Sequence, residues 1–152
     1  MARIPYVTDE QAGESELVTA IKARRGGSLG ALDRLLLHSL PIAQGWAPLM
    51  GRVRSELALS ARWSEFAMCA VAVLNNAEYE WVHHAPLYEQ AGGRAEQLEA
   101  LRLLRPNPDQ ALQAGAFNDE ERAMLRLVVE STLQVSVAPA TFDAARAVLP
   151  DD

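Results

Sequence analysis

One sequence feature constrains this chain more than any other. Between its strong breakers, apolar residues recur at helical spacing, and no period-two run of convincing length appears. The breakers are Gly26-Gly27-Gly30, Pro41, Asn75-Asn76, Gly92-Gly93, the Pro106/Pro108 pair and Pro139. Leu32, Leu35, Leu36 and Leu40 step along one helix face, and Met124, Leu125, Val128 and Val129 along another. A chain that is helical in every periodic stretch can bury its stripes only by packing helix on helix. The expectation is an all-α bundle of roughly seven or eight helices. With 152 residues, 49% of them hydrophobic, one domain over 1–152 is expected to build a real core.

In chain order, residues 1–13 read as an extended arm around Pro5, followed by helices at 14–24 and 29–40. A helix from Pro41 to about Leu57 is expected to be disturbed by Gly45 and Pro48 and to bury Trp46, Leu49, Met50 and Val53. A small-residue helix ending at Leu74 comes next. Asn75 and Asn76 read as caps, with Asn75 and Glu78 forming a capping-box variant for the following helix. After the Gly92-Gly93 stop come a helix at 94–104, a proline-rich loop RPNPDQALQAG, a helix capped by Asn118 and a last one from Pro139 to Leu149. His38 reads as a packing residue.

The net charge of −6 argues against nucleic acid, whose phosphates need clustered Lys and Arg. The longest strongly apolar run, Phe66–Leu74, is far shorter than the ~20 residues of a membrane span. A single cysteine, Cys69, excludes an intramolecular disulfide framework and fits a reducing compartment. Together with the acids in MARIPYVTDEQAG, where a secretory leader is apolar, this leads to the expectation of a cytoplasmic protein.

Chemistry concentrates in SARWSEFAMCAVAVLNNAEYEWVHHAPLYEQAGG, Ser60 to Gly92. Residues four apart on a helix share a face, so Glu80 pairs with His84, and Tyr79 with His83. A carboxylate beside an imidazole is a candidate acid–base pair, although an ordinary helix surface pair is the commoner outcome of such spacing. A metal site from Glu80, His84 and either His83 or Glu65 is disfavoured, because His83 and His84 point about 100° apart. No metal is expected. Cys69, between Met68 and Ala70, reads as packing rather than as a nucleophile.

The run EYEWVHHAPLYEQAGG resembles the carboxymuconolactone decarboxylase-like proteins, a superfamily that includes alkylhydroperoxidase D. The likeness extends to RIPYV, AIKARRGGSLGALDRLLLHSLPIAQGW, DEERAMLRLVVE and ATFDAARAVL. It implies an all-helical, oligomeric, cofactor-free protein acting on a small organic acid or lactone. Its peroxidase branch has two cysteines three apart, a histidine four after the second and a glutamate twelve before the first. Anchored on His84, those cysteines fall on Ala77 and Glu80, and the glutamate on Glu65. Thiol peroxidase chemistry is therefore not expected, since it needs a thiolate and a resolving thiol. What remains is decarboxylation or proton transfer by His84, Glu80, Glu65 and Tyr79, with Trp81 and His83 contacting substrate. The alternative is a binding or assembly protein that has lost the cysteine pair. Family members continue into a further apolar helix where this sequence reaches Pro150-Asp151-Asp152, so a neighbouring subunit or a shortened form is expected.

Overall fold

The computed structural model describes residues 3–150; Met1-Ala2 of the arm and Asp151-Asp152 at the other end lie outside the described residues. These residues form ten helices and no strand. The count exceeds seven or eight because two short helices lie where an extended arm and a loop were expected. Helix α1 (Asp9–Ala12) is nucleated by a reciprocal Thr8/Gln11 capping box. Helix α8 (Pro108–Leu112) starts on Asn107, whose side chain accepts from the Asp109 and Gln110 amides. Pro108 sits in the first turn, where its missing N–H costs nothing. The two prolines of RPNPDQALQAG therefore start a helix instead of excluding one.

Contacts divide the chain into two compact units, one ending at Leu57 and the other starting at Ala58. The first holds α1, α2 (Glu16–Arg24), α3 (Ala31–Leu36) and α4 (Leu40–Ser55). Its small core is Val7, Val18, Ile21, Leu29, Leu37 and Ala43. Helix α4 runs straight through Gly45 and Pro48, yet of its residues only Ala43 is buried. Trp46, Leu49 and Val53, expected inside, are exposed, as are Leu40 and Ile42. Only the Ala43 side of the helix finds partners in this unit, and periodicity marks a stripe without saying what covers it. His38 is exposed as well, with Nε2 2.8 Å from the Pro5 carbonyl oxygen.

The second unit comprises α5 (Ala61–Leu74), α6 (Glu78–Gln90), α7 (Ala95–Arg102), α8, α9 (Asp119–Leu133) and α10 (Pro139–Arg146). Helix α5 packs chiefly on α6, then on α9. Phe66 is the hub, with ring centroids 5.9 Å from Trp63 and 5.7 Å from both Tyr88 and Phe117. Met124, Leu125, Val128 and Val129 of α9 are buried as expected, and Asn118 caps that helix through a box with Glu121.

The asparagines before α6 act differently from the expectation. Asn76 takes the left-handed conformation, φ 54°, while Ala77 N–H donates to the Ala72 carbonyl (2.8 Å) and Asn76 N–H to that of Val73 (3.1 Å). Those two bonds are a Schellman stop, so the pair ends α5, and α6 begins on Ala77 with no side-chain cap. The same device closes α6. Gly92 has φ 93°, Gly92 N–H reaches the Glu89 carbonyl (3.0 Å), and Gly93 N–H reaches that of Tyr88 (2.8 Å).

The second stop presses Gly93 onto the Tyr88 ring, which a Cβ at that position would overlap. Tyr88 is fully buried and cannot swing away. Gly93→Ala is expected to cost about 2 kcal/mol by overpacking, a fall in Tm of roughly 4–8 °C. Thermal unfolding followed by circular dichroism measures it, and an unchanged Tm would mean the ring yields.

Candidate functional site

Glu65 and His84 lie in the second turns of α5 and α6, and the packing of these two helices brings them together. His84 Nδ1 is 2.6 Å from Glu65 Oε2, and its Nε2 is 3.3 Å from Glu80 Oε2. The imidazole is thus held between two carboxylates. Burial grades outward through the three: the side chains of His84, Glu65 and Glu80 are 5%, 14% and 47% exposed. Glu80 alone opens broadly to solvent.

This gradient determines what the group can do. Where the Glu65 carboxylate accepts the bond, the ring hydrogen sits on Nδ1 and Nε2 is the nitrogen left facing Glu80. Nε2 faces Glu80, so a proton arriving at Glu80 has an acceptor behind it. Glu65 fixes the ring orientation, as an oriented base requires.

Beside Glu80 lies an open groove of about 320 Å³, lined by Ala67, Met68, Val71, Ala72, Asn75, Ala77 and Glu80. It exists because three of these side chains are alanines, and Glu80 is its sole ionisable group. The Asn75 amide donates to the Val71 carbonyl (3.0 Å), leaving Oδ1 as a polar rim. The alanine-lined trough carries no motif in the sequence, because small side chains have none, and Asn75 is marked there only as a helix cap.

The remaining expected residues are elsewhere. Tyr79 and His83 stack on each other, with centroids 4.2 Å apart and His83 Nδ1 2.7 Å from the Tyr79 carbonyl oxygen. Trp81 is buried under the Arg102 guanidinium, which lies 4.0 Å above its ring. None of the three touches the carboxylate–imidazole group or lines the groove.

Cys69 is completely buried. Burial and then the nearby Glu65 charge push its thiol up to about 12, leaving on the order of one thiolate in 10⁵ at neutral pH. Iodoacetamide at pH 8 is expected to leave Cys69 unmodified in the native protein and to label it fully in denaturant, as read by mass spectrometry.

A second polar group holds the unit together. Glu121 is buried at the start of α9, ion-paired with Arg62 and accepting from Gln97 Nε2 (2.8 Å) and Asn118 N–H (2.9 Å). Gln97 Oε1 in turn accepts from the Tyr88 hydroxyl (2.7 Å) and from Arg94 N–H (3.1 Å). Burial alone would raise the Glu121 carboxyl, but the Asn118 amide, Arg62 and Gln97 outweigh it and hold it below its usual value of 4.5.

No helix among the described residues is long and apolar enough to cross a membrane. No group of three or more His, Cys, Asp and Glu among them is placed to hold a metal ion. No family model, curated protein or solved structure matches this chain.

Proposed function

We propose that this chain is a cofactor-independent acid–base catalyst, of the carboxymuconolactone decarboxylase-like kind that its central motif resembles. It moves a proton to or from a carbon next to a carbonyl group. The observation that carries this reading is the His84 imidazole, buried between Glu65 and Glu80, with Glu80 alone entering the groove. Glu80 meets the substrate, His84 takes up or returns the proton behind it, and Glu65 holds the ring. This order differs from one in which His84 reaches the substrate directly, and the burial gradient is the reason.

Decarboxylation belongs to the same chemistry, since loss of carbon dioxide leaves an enolate that Glu80 can protonate. The groove favours proton transfer on a neutral ring or lactone over attack on a free acid. Its only charge is negative, so a carboxylate entering it meets repulsion with no counter-charge. Cytoplasmic location and assembly into a homo-oligomer belong to the same reading. The lone cysteine supports the first, and the exposed apolar stripe on α4 supports the second.

Acetophenone, a neutral ketone with an enolisable methyl group, is the simplest probe. Deuterium exchange of that methyl in D₂O, followed by proton NMR, should run faster with the protein than with buffer, and should be lost in Glu80→Gln. Equal rates with the wild type and Glu80→Gln would overturn the proposal. A second reading, that the pair clamps α5 to α6 without catalysing anything, draws on the 2.6 Å bond joining these helices. Loss of stability in His84→Gln, with no exchange activity in the wild type, would favour the clamp.

A further inference from the structure

The second unit contains a cavity that the acid–base site does not use. It lies where the end of α5, the start of α6 and the end of α7 meet, and its volume is about 140 Å³. Its charged lining is Glu78, Arg102 and Arg105, and Trp81 forms part of its wall. It shares Ala72 and Ala77 with the acid–base groove, but neither Glu80 nor Asn75 lines it.

The two guanidiniums are held differently. Arg102 lies 4.0 Å over the Trp81 ring, which restrains it by cation–π attraction. Its carboxylate partner is Glu78, with 3.4 Å between Nη1 and Oε2, longer than a good charged hydrogen bond. Both side chains are open to solvent, at 49% and 68% exposed. A long, exposed ion pair of this kind is weak and gives way to a stronger acceptor. Arg105, three residues further on, is exposed, and its side chain has no hydrogen-bond or ion-pair partner among the described residues. Guanidiniums stay charged at any physiological pH. Two of them therefore answer one loosely held carboxylate, which makes the cavity locally positive in a chain whose net charge is −6.

We propose that this cavity binds a phosphate group, free or at the end of a small phosphomonoester, held between Arg102 and Arg105. Guanidinium N–H groups match phosphate oxygens two at a time. A phosphate also carries close to two negative charges at neutral pH, so it draws on both arginines where a carboxylate draws on about one. The volume, roughly that of five waters in the liquid, admits one phosphate and leaves any organic part outside.

The test titrates the ¹⁵N-labelled full chain with inorganic phosphate, glycerol 2-phosphate and acetate at constant ionic strength. NMR follows the Trp81 indole N–H and the Ala77 and Glu78 amides. Both phosphates are expected to shift these signals saturably, and the tighter of the two to bind at least tenfold better than acetate. Which of them is tighter distinguishes a site for free phosphate from one for a monoester. Arg105→Gln breaks no side-chain contact within the described residues and should weaken phosphate binding about tenfold, while Arg105→Lys should recover part of the loss. Arg102 is left in place, because its loss would also uncover Trp81. Glu78→Gln removes the competing carboxylate and should tighten binding severalfold. Arg126→Gln, which takes one exposed guanidinium from α9 instead, should leave the affinity unchanged. Equal affinities for the phosphates and acetate, or shifts that never saturate, would overturn the proposal. So would wild-type affinity in Arg105→Gln, or an equal loss in Arg126→Gln, because the anion would then be answering overall charge and not the cavity.

Discussion

Glu121→Gln is expected to lower Tm by roughly 6–12 °C, the largest single loss of stability in the second unit. The native carboxylate accepts from Arg62, Gln97 and the Asn118 amide at once. A glutamine there loses the charge, and its NH₂ faces one of those donors instead of an acceptor. Removing one partner of a buried pair costs about 3–5 kcal/mol; the lower end applies because the Arg62 side chain is 31% exposed. At about 3 kcal/mol, and roughly 2–4 °C for each, the quoted fall in Tm follows. The pH dependence has a definite sign. The folded carboxyl is held below its unfolded value of about 4.5, so it binds a proton more weakly when folded. Its contribution is complete above the unfolded value and is lost as pH falls through the folded one. Wild-type Tm should therefore drop more steeply below about pH 4.5 than that of Glu121→Gln. Parallel curves would show that Glu121 does not titrate differently in the two states.

Glu80→Gln and His84→Gln are each expected to reduce methyl exchange of acetophenone by about 10²–10⁴, the usual worth of a positioned general acid or base. The two variants separate chemistry from structure. Glu80 is nearly half exposed, and its glutamine variant should melt within about 1 kcal/mol of the wild type, as exposed ion pairs do. His84 is buried and bonded to Glu65, so its replacement strands a partly buried carboxylate and should cost stability as well as activity. Glu65→Gln should fall between them, because the glutamine can turn either its oxygen or its NH₂ to Nδ1 and no longer fixes the hydrogen there. If Glu80→Gln keeps full activity while His84→Gln loses it, the substrate reaches the imidazole by another face and the assigned order of the relay is wrong.

Most helices were legible because each rests on local chemistry. The Asn118 box, the Gly92-Gly93 stop, Pro139 and the α9 stripe all act within a few residues of where they are written. Asn75-Asn76 was open to two readings, since asparagine both starts helices and tolerates left-handed backbone; the bonds to Ala72 and Val73 made it a stop. The α4 stripe has the period of a core face, but period alone does not supply a partner. The short helices α1 and α8 were hidden because neither is long enough to show a period.

The candidate site divides along the same line. Glu80 and His84 share a helix face, a matter of spacing that the chain itself determines. Glu65 is nineteen residues before His84, and only the packing of α5 on α6 sets it at 2.6 Å. The order of burial from His84 through Glu65 to Glu80, the alanine-lined groove beside them, and the exclusion of Tyr79, His83 and Trp81 were likewise decided by tertiary structure. Local spacing says which side chains can meet, but exposure to solvent depends on every element packed around them, and that is where the chemistry of an acid–base group is set.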